Sequence, residues 1–390
     1  MMHLLFYRYN SIYEPDTIST LSELGYTIDE IREEMTNKEL SAKECVALLR
    51  QALSQKSYAM VFSINFFPIV SEVCNIFHIP YVCWIVDSPV MELYSWSIRN
   101  PWNRIFLFDY ALYQEFAPEN PEHIFYLPLA CNCKRLKTLL DTITETDKKT
   151  YSAEVSFIGS LYTEKCPYNR LSDSDTYLKG YLDGVIEAQL KIYGYNFLEE
   201  VIPNTIVESF KKAVPFYHFP EYSNKNEKAA LAHLYLGNKV TEQERLRLLS
   251  EVSKHFSLSL YTNSEPSVLP DAIYKGTAKT TTEMPKIFHL SKINLNLTSK
   301  PIRTGLPLRI WDILSAGGFL LTNYQEELPQ YFEIGKDLEV YTSQEELLEK
   351  IEYYLNHEEE RAAIAQNGYS KVLSQKHTLT DRLQTILSKI

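Results

Sequence analysis

The sequence predicts an α/β protein of two doubly wound, Rossmann-like domains, the second carrying a helical insertion. Three observations predict it. Apolar strands alternate with helix-spaced segments from His3 to Pro128 and again from Val155 onward. The length of 390 residues exceeds one ordinary core and fits two domains. Between Ser291 and Asn323, strand, loop, helix, glycine turn and strand follow one another in the order of a parallel sheet. Hydrophobic residues at 45% and charged residues at 23% belong to a folded globular chain. A net charge of −11 argues against nucleic acid as a partner, because a phosphate backbone requires clustered Lys and Arg.

In the first domain, 1–150, the expected strands are HLLFYRY from His3, YAMVFSI from Tyr58, YVCWIVD from Tyr81, RIFLFD from Arg104 and HIFYLP from His123. KECVALLRQAL and FPIVSEVCNIF place apolar residues at helical spacing between them, as crossover helices do. Periodicity fades and charge rises in LKTLLDTITETDKKTYSAE, which puts the junction near 148–154. The second domain, 151–375, opens with VSFIGS. A mostly helical stretch at about 165–236 then interrupts the alternation, with YLKGYLDGVIEAQLKIYGYNFLEEV as its longest amphipathic run. VTEQERLRLLSEVSKHF, SLSLYT, AIYKG and MPKIFHL resume it, and the last helix falls in 376–390.

No run approaches the roughly 20 apolar residues of a membrane span, and the N-terminus lacks the pattern of a secretory signal. The six cysteines have no zinc-ligand spacing and sit mostly in apolar segments, so they read as reduced thiols of a cytoplasmic protein with no metal site.

The richest segment is SKINLNLTSKPIRTGLPLRIWDILSAGGFLLTN. Gly305 and Pro307 introduce a helix, and Gly317 and Gly318 end it. Such a helix directs unpaired N–H groups and a partial positive charge at the preceding loop, where a phosphate is stabilised. Arg309 and Asp312, three residues apart, share one helical face. The arginine can neutralise a diphosphate and the carboxylate can accept from ribose hydroxyls; alternatively the two simply pair with each other.

GLPLRIWDILSAGGFLLTNYQEELPQYF, followed by YLNHEEERAAIAQNGYSKVLSQKHTLTDR, resembles the C-terminal half of the GT-B glycosyltransferases, and most of all the group named after a spore maturation protein. The resemblance runs from about Tyr151 to the C-terminus. It implies a nucleotide-sugar donor in the second domain, an acceptor facing the first, a C-terminal helix crossing back to the first domain, and no cofactor or metal. Retaining relatives carry a Glu, seven residues, Glu motif whose second Glu holds the ribose. Asp312 takes that position by register with SAGG, and Thr304 stands where the first Glu belongs. The resemblance also implies that Gly159, Ser160 and Tyr162 face the donor phosphates, and that Tyr274 and Gly276 lie where relatives hold the nucleobase; the second pair reads equally as an edge strand and turn. His377 matches a terminal HT motif and reads as orienting the last helix.

Ligands of open sheets bind at the carboxyl ends of the strands, which singles out Asn65, Asp87, Asp109 and Pro128 in the first domain. Asp87 is either a general base for an acceptor hydroxyl or a turn cap, and Asp109 has a stronger reading as a helix cap. Lys300 and Arg303 are loop cations, of which Arg303, two residues before Gly305, is the better phosphate or sugar contact. The reading is a metal-independent glycosyltransferase with Asp87 and Arg309 in catalytic roles, Arg303, Thr304, Gly305 and Asp312 around the donor, and an acceptor that is a protein, a glycan or a small molecule. A sugar-nucleotide epimerase or hydrolase of the same fold, or a non-catalytic assembly protein, are the alternatives.

Overall fold

The computed structural model describes residues 2–172 and 176–390, and the chain divides into two compact units. Unit one comprises 1–132, 219–225 and 378–390; unit two comprises 133–218 and 226–377. The division falls at Asn132, earlier than the junction expected near 148–154. Helices Cys133–Leu140 and Glu145–Tyr151 pack on helix Met284–Leu290 of the second unit, and Lys286 pairs with Asp147 at 2.8 Å. The loss of apolar periodicity there marks exposed helices on the second unit rather than a linker.

Unit one holds β1 (Met2–Tyr7), β2 (Tyr26–Ile31), β3 (Met60–Ile64), β4 (Tyr81–Ile85), β5 (Asn103–Leu107) and β6 (Ile124–Tyr126). All pair in parallel, in the order β2-β1-β3-β4-β5-β6. The expected strands are present, and β2 is an additional edge strand. Its half-exposed, charged sequence YTIDEI lacks the apolar run of a buried strand, and ion pairs satisfy it, Lys56 with Asp29 and Arg8 with Glu30, both at 2.6 Å.

Unit two holds β7 (Ala153–Ile158), β8 (Leu258–Tyr261), β9 (Ile273–Tyr274), β10 (Ser291–Asn296), β11 (Leu320–Asn323) and β12 (Glu339–Tyr341), parallel in the order β12-β11-β10-β7-β8-β9. The strand order reverses between β7 and β10, which is where an open sheet leaves a crevice at its carboxyl edge. The core of this sheet is Val155, Leu260, Ile293, Leu295 and Leu321, all nearly inaccessible. The alternation of INLNLT does not mark a strand with one wet face. Asn294 and Asn296 are buried too, the first bonded to Ser156 and the Phe288 carbonyl at 2.9 Å each, the second to Thr322 at 2.9 Å.

The predicted insertion at about 165–236 is helical, and its residues 173–175 lie outside the described residues. The longest predicted run is two helices, Thr176–Gln189 and Leu198–Val201, because Gly194 turns the chain at φ 73°. These pack with Asn204–Ala213 around Leu182, Ile186, Phe210 and Leu236. A π-helical turn, Leu231–Gly237, leads into helix Asn238–His255, and the Pro301 ring packs on Gly237, 3.1 Å from where a Cβ would sit. Among the described residues, no helix is long and apolar enough to cross a membrane, and all six cysteines are buried free thiols.

Helix Glu358–Ser374 crosses the second unit on Gly368, where an added Cβ would collide with the Asp337 carbonyl and sit 2.8 Å from Leu314. Alanine ordinarily stabilises a helix by about 1 kcal/mol over glycine. Overpacking here outweighs that, so Gly368→Ala is expected to lower stability by about 1–3 kcal/mol in urea unfolding, and a stabilised variant would contradict the close crossing.

Candidate functional site

The carboxyl edge of the second sheet is organised by Arg245, on the long helix after the insertion. Its guanidinium donates to the Ser160 carbonyl and to the Leu297 carbonyl, each at 2.6 Å. Those carbonyls belong to the loops after β7 and β10, so one side chain joins both lips of the crevice. It also lies against the rings of Tyr162 and Phe157, at 4.9 and 5.5 Å. Gly159 sits under this cation, with Phe157 at 3.1 Å from where its Cβ would be. The Ser160 hydroxyl donates to Glu164 at 2.8 Å and accepts from the Tyr162 N–H at 2.9 Å. Tyr162 adopts φ 67°, and its hydroxyl reaches Ser299 at 3.2 Å. Gly159, Ser160 and Tyr162 therefore form the lip that meets the loop after β10.

That second loop, 298–305, is held from three directions. Asn323 accepts from the Thr298 N–H at 2.7 Å, Thr241 accepts from the Lys300 N–H at 3.0 Å, and Gln325 donates to the Gly305 carbonyl at 3.1 Å. Thr304 donates to the carboxylate of Glu327 at 2.7 Å, and the Glu327 N–H returns to the Thr304 carbonyl at 3.3 Å. Glu327 is 1% exposed. A buried carboxylate thus adjoins the residue at which the Glu, seven residues, Glu pattern lacks its first glutamate.

The helix after the loop runs Leu308–Ser315, with Pro307 as its N-cap rather than inside its first turn. No side chain caps it, so its leading N–H groups are presented to the loop. Arg309 lies over the Phe288 ring at 5.0 Å, with Nη1 3.4 Å from Asp312 Oδ2. The intrahelical pairing is therefore present but long, and both side chains keep about a fifth of their exposure. Arg309 and Asp312 stand on the helix that opens at the strand-order reversal.

The other candidates divide. Lys300 is 7% exposed and committed inward, 3.6 Å from Glu244 and over the Tyr193 ring at 4.7 Å, so it is a buried ion-pair partner rather than a loop cation. Arg303 is half-buried, and its charge acts on Glu199, whose carboxyl is held below the ordinary range first by His233 and then, among smaller influences, by Arg303. Tyr274 is 48% exposed on the edge strand β9, and Gly276, at φ 80°, accepts from the Thr262 N–H at 2.9 Å. They lie one loop beyond the 159–162 lip, which Ser264 anchors by accepting from the Leu161 N–H at 2.7 Å. His377 packs edge-on against Trp311 and Tyr331, at 5.6 Å from each.

In the first unit, Asp109 caps its helix, 0% exposed and accepting from the Ala111 N–H at 3.0 Å. Asp87 is exposed, and its Oδ2 accepts from Asn65 Nδ2 at 2.7 Å and from the Tyr9 hydroxyl at 3.4 Å. Asn65, at φ 61°, also accepts from the Val86 N–H at 2.9 Å, so one amide fixes both the turn and the carboxylate in it. Burial, followed by the Asp87 charge, raises the pKa of Tyr9 and keeps its hydroxyl protonated. These groups line a cavity of about 440 Å³ at the carboxyl ends of β1, β3 and β4, with Phe67, Lys38 and Glu34.

Sequence reading missed Arg245, Thr241, Gln325 and Glu327. Arg245 sits among the charges of TEQERLRLL, where spacing gives it no distinction. Glu327 in NYQEEL carried one available signal, a carboxylate at the carboxyl end of a strand.

Residues 243–388 match the glycosyl transferase-like family. No curated protein matches the chain by sequence. Among solved structures, Anabaena Alr3699/HepE in complex with UDP-glucose superposes with a TM-score of 0.56 at 12% identity, covering 100% of this chain and 99% of that one. Sucrose-phosphate synthase from Thermosynechococcus elongatus gives 0.54 at 9%, covering 99% and 97%. A UDP-forming α,α-trehalose-phosphate synthase from Burkholderia xenovorans gives 0.52 at 10%, covering 100% and 98%. The fold is that of the GT-B glycosyltransferases.

Arg245→Met keeps most of the apolar stem and removes the donors to Ser160 and Leu297. The expected cost is about 2 kcal/mol, because two carbonyls then lack their partner. Guanidinium unfolding measures it, and an unchanged midpoint would show that the crevice does not depend on this arginine.

Proposed function

We propose that this protein is a nucleotide-sugar-dependent glycosyltransferase that moves a sugar to an acceptor hydroxyl without a metal ion, in the spore maturation group. The observation that carries the reading is the uncapped helix Leu308–Ser315 at the strand-order reversal, with Arg309 and Asp312 one turn apart on it. A diphosphate takes up the leading N–H groups and the Arg309 guanidinium, and Asp312 then accepts from the ribose hydroxyls. The Arg309–Asp312 contact is itself a weak hydrogen bond at 3.4 Å, and a diphosphate oxygen is a stronger partner for the guanidinium. Thr304, Gly305 and Arg303 border the donor, Gly159, Ser160 and Tyr162 face its phosphates, and Tyr274 and Gly276 are assigned to the nucleobase.

In the transfer, the bond from the anomeric carbon to the β-phosphate oxygen breaks and one to the acceptor oxygen forms. Charge accumulates on the departing diphosphate, where Arg309 and the helix end stabilise it in the place of a cation. The acceptor hydroxyl loses its proton to Asp87, which Asn65 holds in position. UDP is the first nucleotide to test, because Alr3699/HepE was crystallised with UDP-glucose. Six buried free thiols fit a cytoplasmic setting.

Thermal shift with UDP, GDP, dTDP and CMP compounds identifies the nucleotide, and donor turnover with and without acceptors separates a transferase from an epimerase or hydrolase. Arg309→Ala is expected to fold normally and to lose at least about 100-fold in kcat/KM, the scale of removing one preorganised charge-stabilising donor. Full activity in that variant would remove the basis of the reading.

A further inference from the structure

We propose that the cavity at the carboxyl ends of β1, β3 and β4 receives the acceptor, and that this acceptor is a hydroxylated ring bearing a protonated amine, as in an amino sugar or an aminocyclitol. The inference rests on the transferase reading given above and names the substrate class of its acceptor side. The cavity lies within the first unit, and its volume of about 440 Å³ falls among those of small-molecule sites. One wall is aromatic. Phe67 stands between Tyr7 and Tyr9, with ring centroids at 5.1 and 5.4 Å and interplanar angles of 61° and 59°. Such rings offer apolar area with a negative face, which suits the C–H side of a sugar ring and attracts a cation. Each flanking tyrosine ends on a carboxylate: the Tyr7 hydroxyl donates to Glu34, and the Tyr9 hydroxyl to Asp87. A ring seated on Phe67 therefore lies between a carboxylate at each end.

Charge selects the class. Glu34, Asp87 and Glu92 line the cavity, against Lys38 as the one basic side chain among the described lining residues. Lys38 is committed elsewhere: its ammonium donates to the Tyr9 carbonyl and lies 5.5 Å from the centre of the Tyr9 ring. Among the described residues, none of the three acids has an ion-pair partner. Burial first, and after it the negative charge of Glu34, raise the Glu92 carboxyl above its ordinary range. Two acids thus act on each other across one space, and an ammonium placed between them relieves both. A phosphate or carboxylate there adds to the repulsion. Among the described residues no cluster of acids is close enough to hold a metal ion, so the fitting cation is one carried on an organic ligand. With the amine at Glu34 and Glu92, a ring hydroxyl is left for Asp87, which Asn65 holds at 2.7 Å.

The test measures binding of glucosamine, glucose, N-acetylglucosamine and glucose 6-phosphate to the whole chain, by calorimetry or ligand-observed NMR at neutral pH. Glucosamine is expected to bind at least about tenfold more tightly than glucose or N-acetylglucosamine, the size of one charge-assisted contact, and glucose 6-phosphate most weakly. Glu92→Gln and Glu34→Gln are each expected to shrink that preference to about threefold or less, at the loss of one charge. Should Glu34→Gln fail to fold because of its bond to Tyr7, Glu92→Gln leaves that bond intact and carries the comparison by itself. Equal affinity for glucosamine and its N-acetyl form would overturn the inference. So would a preference for the phosphate, a preference that survives both substitutions, or no binding of any of the four sugars. Binding of the UDP, GDP, dTDP and CMP compounds to the same sample reports separately on the transferase reading. A nucleotide bound without the amine preference overturns this inference alone, whereas an amine preference with no nucleotide bound overturns the transferase reading, and the acceptor role with it.

Discussion

The second unit depends on one half-buried cation bridging two loops. In a parallel sheet the strand-order reversal forms a crevice only if the loops after the flanking strands diverge and stay apart. The Tyr162 hydroxyl joins the two loops through Ser299 at 3.2 Å, but their backbone carbonyls still need a donor. Arg245 supplies it for Ser160 and Leu297 at once, and its planar fork suits two acceptors on opposite sides better than a lysine point charge does. The helix that carries Arg245 follows the π-helical turn Leu231–Gly237, and Gly237 at that turn lets Pro301 approach. The insertion thereby contributes to the crevice through packing, although it supplies no strand to the sheet.

The same logic extends into the sheet. Asn294 and Asn296 would be costly inside a core if unpaired. Each is satisfied by a neighbouring strand or helix end, with Ser156, Thr322 and the Phe288 carbonyl as partners. Such polar contacts fix register more sharply than apolar packing, because a shift of one residue would leave several groups unmatched. The register of β10 sets where its loop begins, and so where Thr304 and the helix end stand.

Most of the architecture was legible because buried parallel strands are nearly continuous apolar runs, and VSFIG, WIVD and FLLT can be little else. The edge strand β2 was not, since TIDEI is polar and its pairing is decided by Arg8 and Lys56 far away in sequence. The junction was misplaced for a related reason: charge and threonine mark exposure, and an exposed helix on one unit has the same composition as a linker. At the site, Arg309 and Asp312 could be read because they share one helix. Arg245, Gln325 and Glu327 act through contacts across tens of residues, which periodicity does not register. Lys300 shows the converse, a loop cation by sequence that tertiary structure commits to Glu244.

The chain's net charge of −11 sharpens what a donor site here has to do. A nucleotide diphosphate is itself an anion, so the field of the whole molecule opposes its approach, although salt screens that field beyond about 10 Å. Attraction must then come from groups in contact with the phosphates, and N–H groups at a helix end supply it without adding a mobile side chain. In the proposed donor site, Arg309 adds a cationic side chain on that helix turn, with Asp312 beside it.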